Sequence, residues 1–100
     1  MDVTYRIDKD ILYIAVEGRV DASNAADAEN KIFEIKNANP DKHVVLDAEK
    51  LEYVSSAGLR VILKAQKLMS AQGAMKLTHV NETIMEVFDI TGFADILTIE

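Results

Sequence analysis

Apolar and polar residues alternate from Val3 to Ile7, and Asp8-Lys9-Asp10 then supplies a turn. Ile11 to Val16 resumes as a β-rich run that closes at Gly18. Period-two segments separated by a short polar turn predict a β-hairpin. After Asp21 the period lengthens: Ala25, Ala28, Ile32 and Ile35 recur at helical spacing. Asp21 or Ser23 stands where a first-turn cap is needed, and Asn37-Ala38-Asn39-Pro40 stops the pattern, which predicts a helix over 22–36. His43-Val44-Val45-Leu46-Asp47 is short, β-branched and apolar at its centre, as expected of a mid-sheet strand buried on both faces.

A hydroxyl-rich turn follows, and from Ala57 the pattern is helical again. Leu59, Ile62, Leu63 and Met69 point to a core, while Arg60, Lys64 and Lys67 lie along another face. Gly73 is the expected stop, 74–78 the next strand, Asn81 the cap of a helix carrying Ile84, Val87 and Phe88, Gly92 its end, and 96–99 a last strand. The order β-β-α-β-α-β-α-β alternates single strands with helices after the hairpin. It predicts an α/β fold, a mixed and largely parallel sheet covered by helices. Residues 37–41 form a loop too short to divide domains, and one hundred residues suit a single domain, 1–100.

Composition narrows the function classes. Hydrophobic residues at 49% and charged residues at 28% belong to a folded domain rather than a disordered chain. A net charge of −6, without any Lys/Arg-rich run, opposes nucleic-acid phosphates and anionic membranes, so a protein partner is expected. Cysteine is absent, which removes disulfides and thiolate metal sites. Neither a signal-like N-terminus nor an apolar run of about 18 residues occurs, and a cytoplasmic location is expected.

Catalytic and cofactor patterns are thin. His43 and His79 are isolated in sequence, so no metal is expected. Ser56 lacks a recognisable base and the Gly-x-Ser-x-Gly elbow, and Gly18, Gly58, Gly73 and Gly92 are too scattered for a phosphate-cradling loop. No cofactor and no catalytic residue are expected. The segment from Tyr53 to Arg60 is richer. It places Ser55 and Ser56 where a helix begins, and serines there serve as plain caps. The same place tolerates an anion, because the first N–H groups lack intrahelical partners and the dipole is positive. Small Ala57 and Gly58 leave the Ser56 hydroxyl uncovered, and Arg60 sits one turn on, within reach of a phosphate.

These residues carry a resemblance that covers nearly the whole chain. Leu51 to Leu63, with Ser55-Ser56-Ala57-Gly58-Leu59 at its centre, is similar to the segment of STAS-family anti-sigma factor antagonists in which a serine precedes an apolar helix. Gly18-Arg19-Val20-Asp21 resembles the family's Gly-x-Leu/Val-Asp, and Phe88-Asp89-Ile90-Thr91-Gly92-Phe93 its Phe-x-x-Thr/Ser-Gly-Leu/Phe. The resemblance implies a bacterial regulator that is a kinase substrate rather than an enzyme. Phosphate would go to Ser56, with Ser55 as second choice, and the partner surface would comprise Asp21, Ser55, Ser56, Ala57, Gly58 and Arg60. The implied partner is a protein kinase anti-sigma factor, which itself binds ATP. Its binding by the unmodified chain would free a sigma factor, and phosphorylation would block it. The chain departs from the family in having Ser55 where an acidic residue is usual and Ala57 where a hydroxyl is common. Many members carry a further helix beyond the last strand, whereas this sequence ends at Glu100. Monomers or weak dimers are expected. An alternative use of the same fold is a constitutive accessory subunit, as in a lipid transporter complex, and fold alone does not choose between them.

Overall fold

The computed structural model describes residues 1–69 and 75–100. Strands β1 (Asp2–Asp8) and β2 (Ile11–Val20) form the expected hairpin, joined by Lys9-Asp10 with Lys9 in the left-handed region at φ +57°. They pair antiparallel from Asp8↔Ile11 to Asp2↔Glu17. Helix α1 (Ala25–Ala38), strand β3 (His43–Asp47), strand β4 (Leu51–Val54), helix α2 (Ser56–Met69), strand β5 (Lys76–Thr78), helix α3 (Glu82–Thr91) and strand β6 (Thr98–Ile99) follow, with a single 3-10 turn, Phe93–Asp95, before β6.

Hydrogen bonding orders the sheet β1-β2-β3-β5-β6, with only the first pair antiparallel. Strand β4 was not expected from the sequence. It pairs in parallel with the end of β2 through Arg19↔Tyr53 and Val20↔Val54, after a register shift at Gly18/Arg19. Gly18 makes that shift possible: its φ of +89° is open to glycine at no steric cost, and its N–H donates to the Lys50 carbonyl at 2.9 Å. So β2 serves two neighbours in turn, β3 with its first half and β4 with its last residues.

The second correction concerns coverage. Leu12, Ile14 and Val16 of β2, Val44 and Leu46 of β3 and Leu77 of β5 alternate onto one face. There they join Ala28 and Ile32 of α1, Leu59, Ile62 and Ala65 of α2, and Ile84 and Phe88 of α3 in one core. Each fully buried aliphatic or aromatic side chain in it contributes about 1.5–3 kcal/mol. The opposite face, which carries Thr4, Arg6, Tyr13, Ala15, Glu17, Val45 and Asp47, lies outside that core. The central strand β3 is therefore sealed on one face only. Two apolar residues at alternate positions are enough to seal that face, and an unbroken apolar run did not imply a second helical layer.

Helix boundaries moved for local reasons. Helix α1 begins at Ala25 rather than Ala22, and neither Asp21 nor Ser23 caps it: Asn24 is the N-cap residue and its side chain makes no cap hydrogen bond. It runs on to Ala38. In its last turn Lys36, only 8% exposed, donates from Nζ to the carbonyls of Pro40 at 3.0 Å and Lys42 at 2.9 Å, so the loop folds back onto the helix end. Leu63 is half-buried rather than core, and Val61 takes the buried position. Strand β5 starts at Lys76, and the last strand shortens to two residues. The expected helix stop at Gly73 and the strand start at Ala74 lie outside the described residues.

Asn81 caps α3 as expected, its Oδ1 accepting from the Ile84 N–H at 2.8 Å. Its Nδ2 also donates to the Leu51 carbonyl at 2.9 Å, tying α3 to the strand that leads into α2. Asn81→Ala removes both bonds, and a loss of about 1–2 kcal/mol in folding stability is expected by urea denaturation. A change near zero would mean that the two bonds are replaced by water at no cost.

Candidate functional site

The end of β2 and the start of α2 meet because β4 brings them together. The Ser55 N–H donates to the Val20 carbonyl at 2.8 Å, so the residue before α2 is fixed to the residue before Asp21. Ser55 also caps the helix. Its carbonyl accepts from Leu59 N–H at 2.8 Å and its Oγ from Gly58 N–H at 3.3 Å. It is half-buried.

Ser56, one residue on, is exposed as the first residue of α2, and its hydroxyl has no hydrogen-bond partner among the described residues. The two adjacent serines, alike in sequence, thus differ: one hydroxyl is engaged with the helix end and the other faces solvent. The first turn of α2 contains no acidic residue, so the positive end of the helix dipole is uncompensated by a carboxylate and suits an added anion. Ala57 is half-buried and Arg60, four residues after Ser56, is exposed on the same side of the helix.

Gly58 is buried rather than presented to a partner. A Cβ there would stand 2.6 Å from Val54 Cγ2, 3.0 Å from Val20 Cγ1 and 3.2 Å from the Val20 carbonyl. Its part in the site is to let α2 approach β2 and β4.

Asp21 begins a tight turn. Its Oδ1 accepts from the Ser23 hydroxyl and from the Ser23 N–H at 2.9 Å. Its own N–H donates to Asn24 Oδ1 at 2.9 Å, while Asn24 Nδ2 donates to the Arg19 carbonyl at 2.9 Å. The Ser23 hydroxyl, then the Ser23 N–H, hold the Asp21 carboxyl below the usual carboxylate range; the Asn24 N–H and the Arg19 charge add to this, against some desolvation. A lowered folded value means the ionised turn is favoured at neutral pH and above the ordinary carboxylate range, and that contribution is lost as pH falls through the depressed value. On acid titration followed by NMR, the Ser23 amide is expected to move at a lower pH than a free aspartate would, and Ser23→Ala is expected to raise that midpoint. A midpoint at the ordinary value in both proteins would contradict the arrangement.

Sequence reading did not single out Arg19, Asn24 or Tyr53 for the site. Arg19 lies over the Tyr53 ring at 4.3 Å from its centroid, in the register pair that joins β2 to β4, and Tyr53 is 39% exposed. The signal was Tyr53 two residues before the paired serines, in a segment read as a turn. The basic stripe Arg60, Lys64 and Lys67 is partly spoken for, since Lys64 pairs with Glu29 of α1 at 3.1 Å and Lys67 also has a partner.

His79, isolated in sequence, meets carboxylates in space. Its Nδ1 lies 3.0 Å from Asp47 Oδ1, and one ligand atom each from Asp47, Glu49 and His79 fall within 4.8 Å of one another. Asp47 Oδ1 also accepts from the Glu49 N–H at 3.0 Å, so the Asp47 carboxylate ties the loop after β3 to His79 after β5. His43 is exposed at the start of β3 and belongs to no such group among the described residues. No helix among the described residues is long and apolar enough to cross a membrane.

Comparison with known proteins agrees with the family resemblance read from the sequence. BtrV of Bordetella bronchiseptica, named as a candidate anti-sigma factor antagonist, is 36% identical over 90 residues, 89% of this chain and 77% of that protein. A crystal structure of a candidate anti-sigma factor antagonist from Thermotoga maritima superposes with a TM-score of 0.85 at 24% identity, covering 97% of this chain and 84% of that one. The Bacillus cell fate determinant SpoIIAA, in its phosphorylated form, superposes with a TM-score of 0.70 at 16% identity, covering 99% and 91%. The STAS domain profile matches residues 2–100. With its mixed sheet, its one-sided helices and its serine-led second helix, the chain belongs to the STAS domain family.

Proposed function

We propose that this chain is an anti-sigma factor antagonist worked by a phosphorylation-controlled partner switch. The unmodified protein docks on a protein kinase anti-sigma factor, using the Asp21 turn, Ser55, Ser56, Ala57 and Arg60, and so releases a sigma factor. Gly58 holds that surface in place from below. Phosphate on Ser56 abolishes docking. ATP is bound by the kinase, and the chain supplies the acceptor hydroxyl without catalytic groups of its own.

The observation that carries this reading is the contrast between the neighbouring serines: Ser55 Oγ is engaged in capping, and Ser56 Oγ is exposed at an uncompensated helix N-terminus. A relative bearing the antagonist name and a neighbouring fold known in a phosphorylated form support the same reading. Phosphoserine adds about −1.5 to −2 charges at neutral pH. The helix end accommodates that charge in the free protein, whereas a packed interface would have to desolvate it.

The test is to recover the kinase partner from the native cell, incubate it with ATP and the chain, and map the phosphate by mass spectrometry. One phosphate on Ser56 is expected, retained in Ser55→Ala and lost in Ser56→Ala. A phosphate mapping to neither serine ends the proposal.

A further inference from the structure

Strand β1 is an edge strand, and its outer side has no partner among the described residues. The two-residue turn after Asp8 makes Asp8↔Ile11 a hydrogen-bonded pair, so Asp2, Thr4, Arg6 and Asp8 direct their backbone groups to β2. Val3, Tyr5 and Ile7 direct theirs outward, a row of unpaired N–H and C=O groups that templates another strand. Their side chains extend the core-facing row to the rim, where Tyr5 is 56% and Ile7 46% exposed. Tyr5 lines a shallow groove with Ile35 and Ala38 of α1.

We propose that β1 pairs antiparallel with β1 of a second copy of this chain, about a two-fold axis at Thr4, to give a symmetric dimer with one continuous sheet. Outward-facing residues must meet outward-facing residues, which limits the choice of register; an axis at Val3 or Ile7 pairs only residues 2–4 or 6–8 of the strand, and charge selects among the longer overlaps that remain. An axis at Tyr5 sets Asp2 against Asp8 of the partner subunit, and an axis at Arg6 sets two arginines face to face. With the axis at Thr4, Asp2 faces Arg6 of the partner subunit twice over, and Val3 faces Tyr5 of the partner subunit twice over. Aromatic with β-branched and opposite-charge cross-strand pairs are the favourable ones. Within one chain Asp2 stands directly opposite Glu17, a like-charge pair. Lys50 approaches Glu17 at 3.8 Å within the chain, and the partner's Arg6 brings a second cation, opposite Asp2. The surface is the free edge of β1, whereas Ser56 follows β4, a separate neighbour of β2, so the dimer does not depend on the partner-switch reading.

The test is sedimentation equilibrium of the whole chain over a concentration series at about 0.15 M salt, where charges farther apart than about 8 Å are screened. The wild type is expected to approach twice the monomer mass as concentration rises. Asp2→Arg and Arg6→Asp each turn two attractive pairs into two repulsive ones, and each is expected to weaken the dimer at least about tenfold. An equimolar mixture of the two variants restores both attractive pairs and is expected to form a heterodimer. Circular dichroism of each variant checks the fold, since Arg6 also lies over the Tyr13 ring. Tyr5→Pro, which removes an outward N–H without touching the β1–β2 ladder, is the second disruptive variant. A wild type that stays monomeric overturns the proposal. So does a dimer that the single charge reversals leave unchanged, or a mixture that fails to associate.

Discussion

Ser56→Asp is expected to weaken binding of the kinase partner by about a hundredfold or more, measured by calorimetry or by sedimentation with the purified partner, while leaving the fold as stable as before or more so. The opposite signs come from the same position. In the free protein Ser56 opens α2, whose first turn has no acidic residue, and a carboxylate near such an end is worth about 0.3–1 kcal/mol of added stability. In a complex that packs against this exposed position the same charge loses its water without gaining a fitted cation. An uncompensated charge in an interface costs several kcal/mol, and about 2.7 kcal/mol already makes a hundredfold. Ser56→Ala removes the acceptor but adds no charge, so binding is expected to survive within a few-fold. Ser55→Ala distinguishes the neighbour: the Gly58 N–H loses its capping oxygen, and a stability loss of about 1 kcal/mol is expected with the acceptor intact. A Ser56→Asp protein that binds as tightly as the wild type would place the docking surface elsewhere.

Gly58→Ala is the substitution expected to damage the site from beneath. In most exposed helix positions alanine gains about 1 kcal/mol over glycine. Here its Cβ would fall 2.6 Å from Val54 Cγ2 and 3.0 Å from Val20 Cγ1, on two stiff β-branched side chains, with the Val20 carbonyl at 3.2 Å behind them. Both valines are packed in the core they share, which resists their turning aside and leaves movement of the helix as the main relief. Overpacking of this kind costs about 1–3 kcal/mol, and at its upper end it outweighs the propensity gain. A net loss of about 1–2 kcal/mol is expected by urea denaturation. The helix start carrying Ser56 moves with α2, so partner affinity should fall as well. The other outcome, a stability gain near 1 kcal/mol, would mean that propensity rules and the contact is soft.

Much of the fold could be read from the chain because local chemistry and tertiary need agree over most of it. The hairpin was legible in the alternation from Val3 to Ile7 and the Asp8-Lys9-Asp10 turn, and α3 in its Asn81 cap and Gly92 stop, where Gly92 takes the left-handed conformation at φ +79°. Strand β4 was not legible. Leu51-Glu52-Tyr53-Val54 shows neither clear alternation nor a long apolar run: its ends are buried and its middle two residues exposed. It exists because β2 shifts register at Gly18 and offers its last residues to a new neighbour. A pairing partner more than thirty residues away leaves no mark on the short segment it captures.

The sequence by itself determined the order of most elements, the serines at the head of α2 and the membership that three separated motifs imply, because caps, turns and periodicity act over a few residues. Tertiary structure alone decided that the helices seal one face of the sheet, that the residues preceding Asp21 and Ser56 are joined by the Ser55–Val20 hydrogen bond, and that His79 meets Asp47. It also gave the two serines different surroundings. Each of these depends on which strands lie side by side, and that is fixed by burial and pairing summed over the whole chain rather than by any residue's neighbours in sequence.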